Sequence, residues 1–403
     1  MQMPLGLGLG ITSAFLAGTT ALAGPVGSTL YLDFKTDTYE VGATPATRAE
    51  STLANLPNYS FARASAAMYT DDSGVLSSFA SGTPRIGDRG YLSEEARTNL
   101  LKSSNDFSNA TNWQFIASGP SIAKTATGPD GVANSAWTFD AGTTASTDVR
   151  LLATTANRPS VFGNSPVSIF AKAGTGRYLM FGQGASGGAH EAMVTVDLQT
   201  GSITETVSEG NFSVDSSKIE ALADGWYRIV VNYTAGSPTP ITQITIVDTP
   251  TPGDFTYAFN PANETILLYG AQIENKRFET SYIETTTATA TRAADVMSIG
   301  TSTAWYNNTA GAWYLEFERP AGSTGDTEVL FQLDNGTDED DRHFINMDGT
   351  TNDMRYDIFT SNGDAAQIDQ NTDPTGNVDK YAAAYAEDDV AGTQNGATVT
   401  TDS

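Results

Sequence analysis

The chain has 403 residues, 21 basic against 47 acidic, and a formal net charge of −26, a surface that repels a phosphate backbone and argues against nucleic acid as a partner. It has no cysteine, which excludes disulfide frameworks and thiolate metal sites. Its only histidines, His190 and His343, lie far apart and outside any ligand-spaced or nucleophile motif, so metal hydrolysis and triad catalysis are poor candidates.

In chain order, residues 1–27 come first, "MQMPLGLGLGITSAFLAGTTALAGPVG". Ala21-Leu22-Ala23 before Gly24 has the form of a signal cleavage site. Against export, the first basic residue is Lys35, and Thr12, Ser13, Thr19 and Thr20 break the apolar run. Membrane insertion is not expected, because Gly, Thr and Pro interrupt any span of ~20 apolar residues. The other reading is a Gly-rich arm that becomes ordered against a partner protein.

Residues 28–98 read as a small anchoring unit. "STLYLDFKTDTYEV" opens it, and "SFARASAAMYTDDSGVL" predicts a hairpin turning at Asp71–Gly74. Arg63 reads there as a local hydrogen-bonding clamp rather than a catalytic cation. Ser93-Glu94-Glu95 has the character of a first helical turn, with a loop as the alternative.

Residues 99–284 then give strand after strand, among them "SPVSIFAKAG", "GRYLMFGQG", "HEAMVTVDLQTG", "GWYRIVVNYTA", "ITQITIVDT" and "ETILLYGAQIE". Val194, Val196 and Leu198 alternate, with Met193 out of phase. Tyr227, Ile229, Val231 and Tyr233 share one face. About nine strands with short turns predict an antiparallel sandwich of jelly-roll type. Residues 285–296 read as a Thr- and Ala-rich linker. Strands restart over 297–403 and predict a second sandwich, with fewer strands than that class needs, so it reads as incomplete or as completed by a neighbour. The predicted fold class is all-β.

The ordered set "LYLDF", "FARASAAMYTDDSGVL", "PRIGDRGYLSEEARTNLL", "NDFSNATNW", "VSIFAKAG", "GWYRIVV", "LLYGAQIENKRFETSYIETT" and "TRAADV" resembles a class of tailed-bacteriophage virion proteins: head spikes or fibres, capsid decoration proteins and tail fibres. The start "PLGLGLG" is similar to many of them. The resemblance implies a carbohydrate-binding-module-like jelly roll, a concanavalin-like C-terminal sandwich, and a place on the virion surface. It also implies a homotrimer, contact with other virion proteins through residues 1–60, and host surface polysaccharide as ligand. A decoration or connector protein without ligand, and a secreted adhesin, are the alternatives.

Glycan binding needs aromatic faces and planar polar groups. Arg177, Tyr178 and Gln272 are the candidates on these strands; Trp226, Tyr227 and Tyr269 read as core instead. Asp334 to His343, "DNGTDEDDRH", is a candidate calcium loop or a solvated acidic turn. No cofactor is otherwise expected. No β-helix repeat accompanies the many carboxylates, so binding rather than glycan cleavage is the expectation.

Overall fold

The computed structural model describes residues 2–3, 28–42, 49–144, 147–161, 163–185, 190–300, 305–318, 328–334, 342–348, 353–360, 363–370, 378–386 and 389–402. The protein is all-β, its sheets packed as sandwiches, with three-residue 3₁₀ turns such as Thr155–Asn157 and Ala223–Gly225. None of its helices among the described residues is long and apolar enough to cross a membrane.

The chain divides into two units. The central unit comprises residues 64–81 and 95–293; the terminal unit comprises 1–63, 82–94 and 294–403.

The central unit is a jelly-roll-like sandwich of two six-stranded antiparallel sheets. One runs in the order Trp113–Phe115, Arg150–Ala153, Ile241–Val247, Tyr178–Gly184, Glu191–Asp197, Ser202–Glu209. The other runs Ser121–Ala126, Ala136–Asp140, Thr265–Ile273, Ser165–Ala173, Tyr227–Ala235, Phe212–Ala221. Alternation decides what lies between them. Val194, Val196 and Leu198 meet Ile229, Val231 and Tyr233 in one core with Leu179, Phe181, Ile244 and Ile246. Met193 points the other way, into a small second cluster with Met180, Val247 and Phe255. Its phase error in the sequence is therefore a side chain serving an outer core. Trp226 and Tyr269 are buried, in a third cluster with Phe170 and Tyr282.

Four strands carry no clear sequence signal: Trp113–Phe115, Ser121–Ala126, Arg150–Ala153 and Phe212–Ala221. Three of them lie at sheet edges, where half of the residues face water and the apolar alternation fades. The fourth is only four residues long.

The 28–98 stretch does not stand as a unit of its own. Residues 64–81 join the central unit, where Ala67–Thr70 and Leu76–Phe79 form the expected hairpin. Its turn is closed by Gly74 N–H to Asp71 O at 2.9 Å and Val75 N–H to Asp71 Oδ1 at 2.8 Å. Leu76 enters the Phe170–Trp226 cluster. Gly74 has φ +77, and a Cβ there would sit 2.5 Å from the Ala223 backbone nitrogen. Gly74→Ala is therefore expected to lower stability by about 1–3 kcal/mol, read as a shift in urea midpoint at unchanged slope. Wild-type stability in that variant would remove the strain argument.

The terminal unit packs a seven-stranded sheet against a four-stranded one. The first runs Thr400–Asp402, Asp389–Gln394, Val378–Ala386, Gly311–Glu318, Gln2–Met3, Gly90–Leu92, Arg85–Gly87; the second runs Glu328–Asp334, Arg342–Met347, Met354–Thr360, Gly363–Gln370. Leu30, Leu32, Phe34 and Tyr39 bury in the same core as Leu315, Phe317 and Tyr381. Four apolar side chains on two four-residue strands and the turn between them cannot exclude water alone, so this segment shares the larger core. The 93–95 region is a loop, with Glu94 turned inward to Arg85. The 285–296 stretch is tied down rather than free. Thr285 Oγ1 donates to Leu101 O at 2.6 Å, and Ala290–Arg292 pairs with Arg97–Asn99.

Candidate functional site

A polar pocket of about 360 Å³ opens on the central unit, within the size range of small-ligand sites. Two loops build it. The 103–112 loop begins at Ser103, whose φ is +49, and turns through Asp106 N–H to Ser103 O at 3.0 Å and Asn109 N–H to Asp106 O at 3.2 Å. The other is the 284–287 segment, held to it by Thr285 N–H donating to Ser104 Oγ at 2.8 Å. Trp137 forms the back wall. Its indole N–H donates to Asn105 O at 2.9 Å, and Phe107 packs edge-on at 6.5 Å. The Lys124 ammonium lies 5.8 Å from the Trp137 ring centre. Asp106, Asn109 and the exposed Glu284 complete the rim. The site thus places one cation, two carboxylates and a carboxamide around an indole.

No family model matches the chain, and no curated protein matches it either.

Sequence reasoning missed this pocket. The available signal was the Asn/Asp/Ser-rich loop "NDFSNATNW", which has turn chemistry and ends on a tryptophan. Nothing local announces that Lys124, Trp137 and Glu284, each on a different element, converge on it.

The three residues chosen from the sequence are not brought together. Arg177 and Tyr178 sit at the start of the Tyr178–Gly184 strand; Gln272 sits near the end of Thr265–Ile273 in the opposite sheet. Gln272 is 1% exposed and spent internally: it donates to Glu274 Oε2 at 2.9 Å and accepts from Ile283 N–H at 2.7 Å. Arg177 forks onto Asp197, Nε to Oδ1 at 3.0 Å and Nη2 to Oδ2 at 2.6 Å, and holds that carboxyl down at about 2. Its guanidinium also lies 5.0 Å from the Tyr178 ring centre. Both side chains are therefore engaged by their neighbours, a hairpin clamp rather than part of a platform with Gln272.

Both histidines are taken up structurally. His190 Nδ1 accepts Asn211 N–H at 2.8 Å. His343 Nδ1 lies 2.6 Å from the Tyr356 hydroxyl, and burial pushes its pKa down to about 4. Among the described residues no group of three or more His, Asp or Glu could hold a metal. Residues 335–341 of the candidate calcium loop lie outside the described residues.

A second polar cluster lies on the outer face of the sheet holding Met193. Arg150 pairs with Asp148, Nε to Oδ1 at 2.7 Å, and donates to Gln243 Oε1 at 3.0 Å. Glu191 is fully buried and accepts Phe255 N–H at 3.2 Å. Burial is the main cause that pushes its pKa up to about 7; Asp254 and Glu209 add to it, while the Phe255 N–H and Arg150 oppose it. Phe255, completely buried, covers this face.

Proposed function

We propose that the protein is a surface subunit of a tailed-bacteriophage virion, a spike or fibre, that binds host surface glycan through its central β-sandwich without cleaving it. The observation that carries the glycan reading is the 360 Å³ pocket at Trp137. Its charged and carboxamide groups suit the hydroxyls and substituents of a sugar, and its size suits one or two residues of a polysaccharide. Two segments of the phage-like succession, "NDFSNATNW" and the end of "LLYGAQIENKRFETSYIETT", supply its two loops. The acidic surface fits an exposed, soluble particle protein. Docking to capsid or tail through residues 1–60 and assembly as a homotrimer belong to the same reading.

The test is binding of the intact protein to host polysaccharide, by glycan array and calorimetry. Lys124→Ala and Asp106→Ala are each expected to weaken binding about tenfold, the scale of one charged hydrogen bond. Arg177→Ala is expected to leave it unchanged. Equal binding by wild type and both pocket variants would move the site elsewhere. No binding to any host glycan would favour the ligand-free decoration or connector protein.

A further inference from the structure

On the reading that the Trp137 pocket is a glycan site, we infer that the sugar it takes carries a free, protonated amine: an amino sugar, not its N-acetylated form and not an acidic sugar. Three charged residues line the pocket, Asp106, Lys124 and Glu284, so it holds one more anion than cation. Carboxylates elsewhere in the central unit are claimed by cations: Asp197 by Arg177, Asp148 by Arg150, Glu279 by Lys218. Among the described residues Asp106 and Glu284 form no ion pair. Lys124 lines the same pocket and pairs with neither; its ammonium lies 5.8 Å from the Trp137 ring centre instead.

The two acids come from the two loops, and the loops are stitched together. Ser104 N–H donates to Thr285 Oγ1 at 3.0 Å, and Ser103 Oγ donates to Thr286 O at 3.3 Å. Asp106 lies two residues after Ser104, and Glu284 one residue before Thr285, so both acids are anchored beside the stitch. Asp106 Oδ1 accepts the Ser108 hydroxyl at 2.8 Å, which orients the carboxylate and leaves Oδ2 unspent. Asn109 Oδ1 accepts Thr111 N–H at 3.1 Å, which leaves the Asn109 Nδ2 donors unspent. Glu284 makes no hydrogen bond among the described residues, so both of its oxygens are unspent. The pocket therefore offers three carboxylate oxygens that only accept, held in place before any ligand arrives.

The substituents of a sugar meet these oxygens differently. A carboxylate would face two like charges against one ammonium. An N-acetyl group carries no charge and has a single N–H to give. A protonated amine has three donors and a positive charge, and hydrogen bonds between ionised partners are about twice as strong as neutral ones. Lys124 and Asn109 Nδ2 are donors, and they serve the hydroxyl oxygens of the same sugar. The net charge of −26 acts in the same direction at longer range, drawing a cationic ligand in and turning an acidic one away.

Calorimetry on the intact protein with three short probes tests this: a glucosamine trisaccharide, its N-acetylated counterpart and a galacturonic acid trisaccharide, at about 0.15 M salt and mildly acidic pH. The glucosamine trimer should bind about tenfold tighter than the N-acetylated one, with the acidic trimer weakest. Asp106→Asn and Glu284→Gln keep the side-chain shape and remove the charge, and each should erase most of that preference. Glu209→Gln removes the same charge from the Ser202–Glu209 strand, which lines no part of the pocket, and should leave the preference intact. Equal binding of the three trimers, or binding of host polysaccharide without the glucosamine trimer, overturns the amine and keeps the glycan site. No binding of any sugar, host polysaccharide included, overturns both. A preference that Glu209→Gln lowers as much as the pocket variants do would reduce it to the protein's overall charge and overturn the inference. So would a lysine-containing peptide that binds as tightly as the glucosamine trimer, which would give the pocket to a protein partner.

Discussion

Asp295→Ala is expected to cost the protein about 3–5 kcal/mol, the range for removing one partner from a buried ion pair. The carboxylate sits inside the terminal unit between two arginines. Oδ1 accepts from Arg63 Nη1 at 2.9 Å, and Oδ2 accepts from Arg85 Nη2. The same Oδ2 accepts the Glu94 backbone N–H at 3.0 Å, while Arg85 Nη1 reaches Glu94 Oε2 at 2.6 Å. The Asp295 and both arginine side chains are 0% exposed, and the Glu94 side chain is 5% exposed. Two cations therefore face two anions out of reach of water. Without Asp295, both guanidiniums lose a buried charged partner, and the loss is of compensation for buried charge more than of one attraction.

The measurement is urea unfolding followed by tryptophan fluorescence. Asp295→Asn should fall between wild type and alanine, because the amide keeps the acceptor oxygen but not the charge. A double-mutant cycle between Arg85 and Asp295 should give a coupling well above the few tenths of a kcal/mol expected of independent sites. A loss below about 1 kcal/mol for Asp295→Ala would mean the group is in contact with water, and the burial argument fails.

This network shows what was legible in the sequence and what was not. Its four members lie in "FARASAAMYTDDSGVL", "PRIGDRGYLSEEARTNLL" and "TRAADV", the segments that carried the phage resemblance. From its place beside a hairpin Arg63 reads as a local clamp, whereas its guanidinium reaches Asp295. That partner, 232 residues away, was not legible, because nothing local distinguishes a carboxylate bound for the interior from one bound for water. The central sandwich was readable for a simpler reason. Strands such as Glu191–Asp197 are buried along their whole length, Val194 and Val196 toward the core between the sheets and Met193 toward an outer cluster, so they read as nearly continuous apolar runs between turn signals. Edge strands such as Phe212–Ala221 escape that demand. The separation of Arg177 and Tyr178 from Gln272 was illegible on the same ground: period two places Gln272 on a face, but whether that face meets solvent depends on the 274–283 segment, which takes up its amide. Pocket residues from separate elements, Asp106 and Lys124 among them, become neighbours only through sheet order.

Glu191→Gln is expected to stabilise the protein above neutral pH. Glu191 folds into a site that raises its pKa from 4.5 to about 7, with burial the leading cause. For an acid, a raised folded pKa means that folding favours the protonated form. The stability this gives is fully present below pH 4.5, and it is lost as pH rises through about 7. The loss amounts to about 3 kcal/mol once the carboxylate is ionised. Glutamine cannot ionise, and its oxygen still accepts the Phe255 N–H that Glu191 holds at 3.2 Å. The variant should therefore match wild type near pH 4.5, gain on it steadily to pH 7, and keep a constant lead of about 2–3 kcal/mol at pH 8. Other buried acids titrate as well; fully buried Glu274 also has a raised pKa. Their contributions are common to both proteins and cancel in the difference. Parallel stability curves from pH 4.5 to 8 would show that the Glu191 carboxylate is solvated in the folded protein. Diverging curves would show that Phe255 seals this face of the sheet tightly enough to make an ionised carboxylate costly.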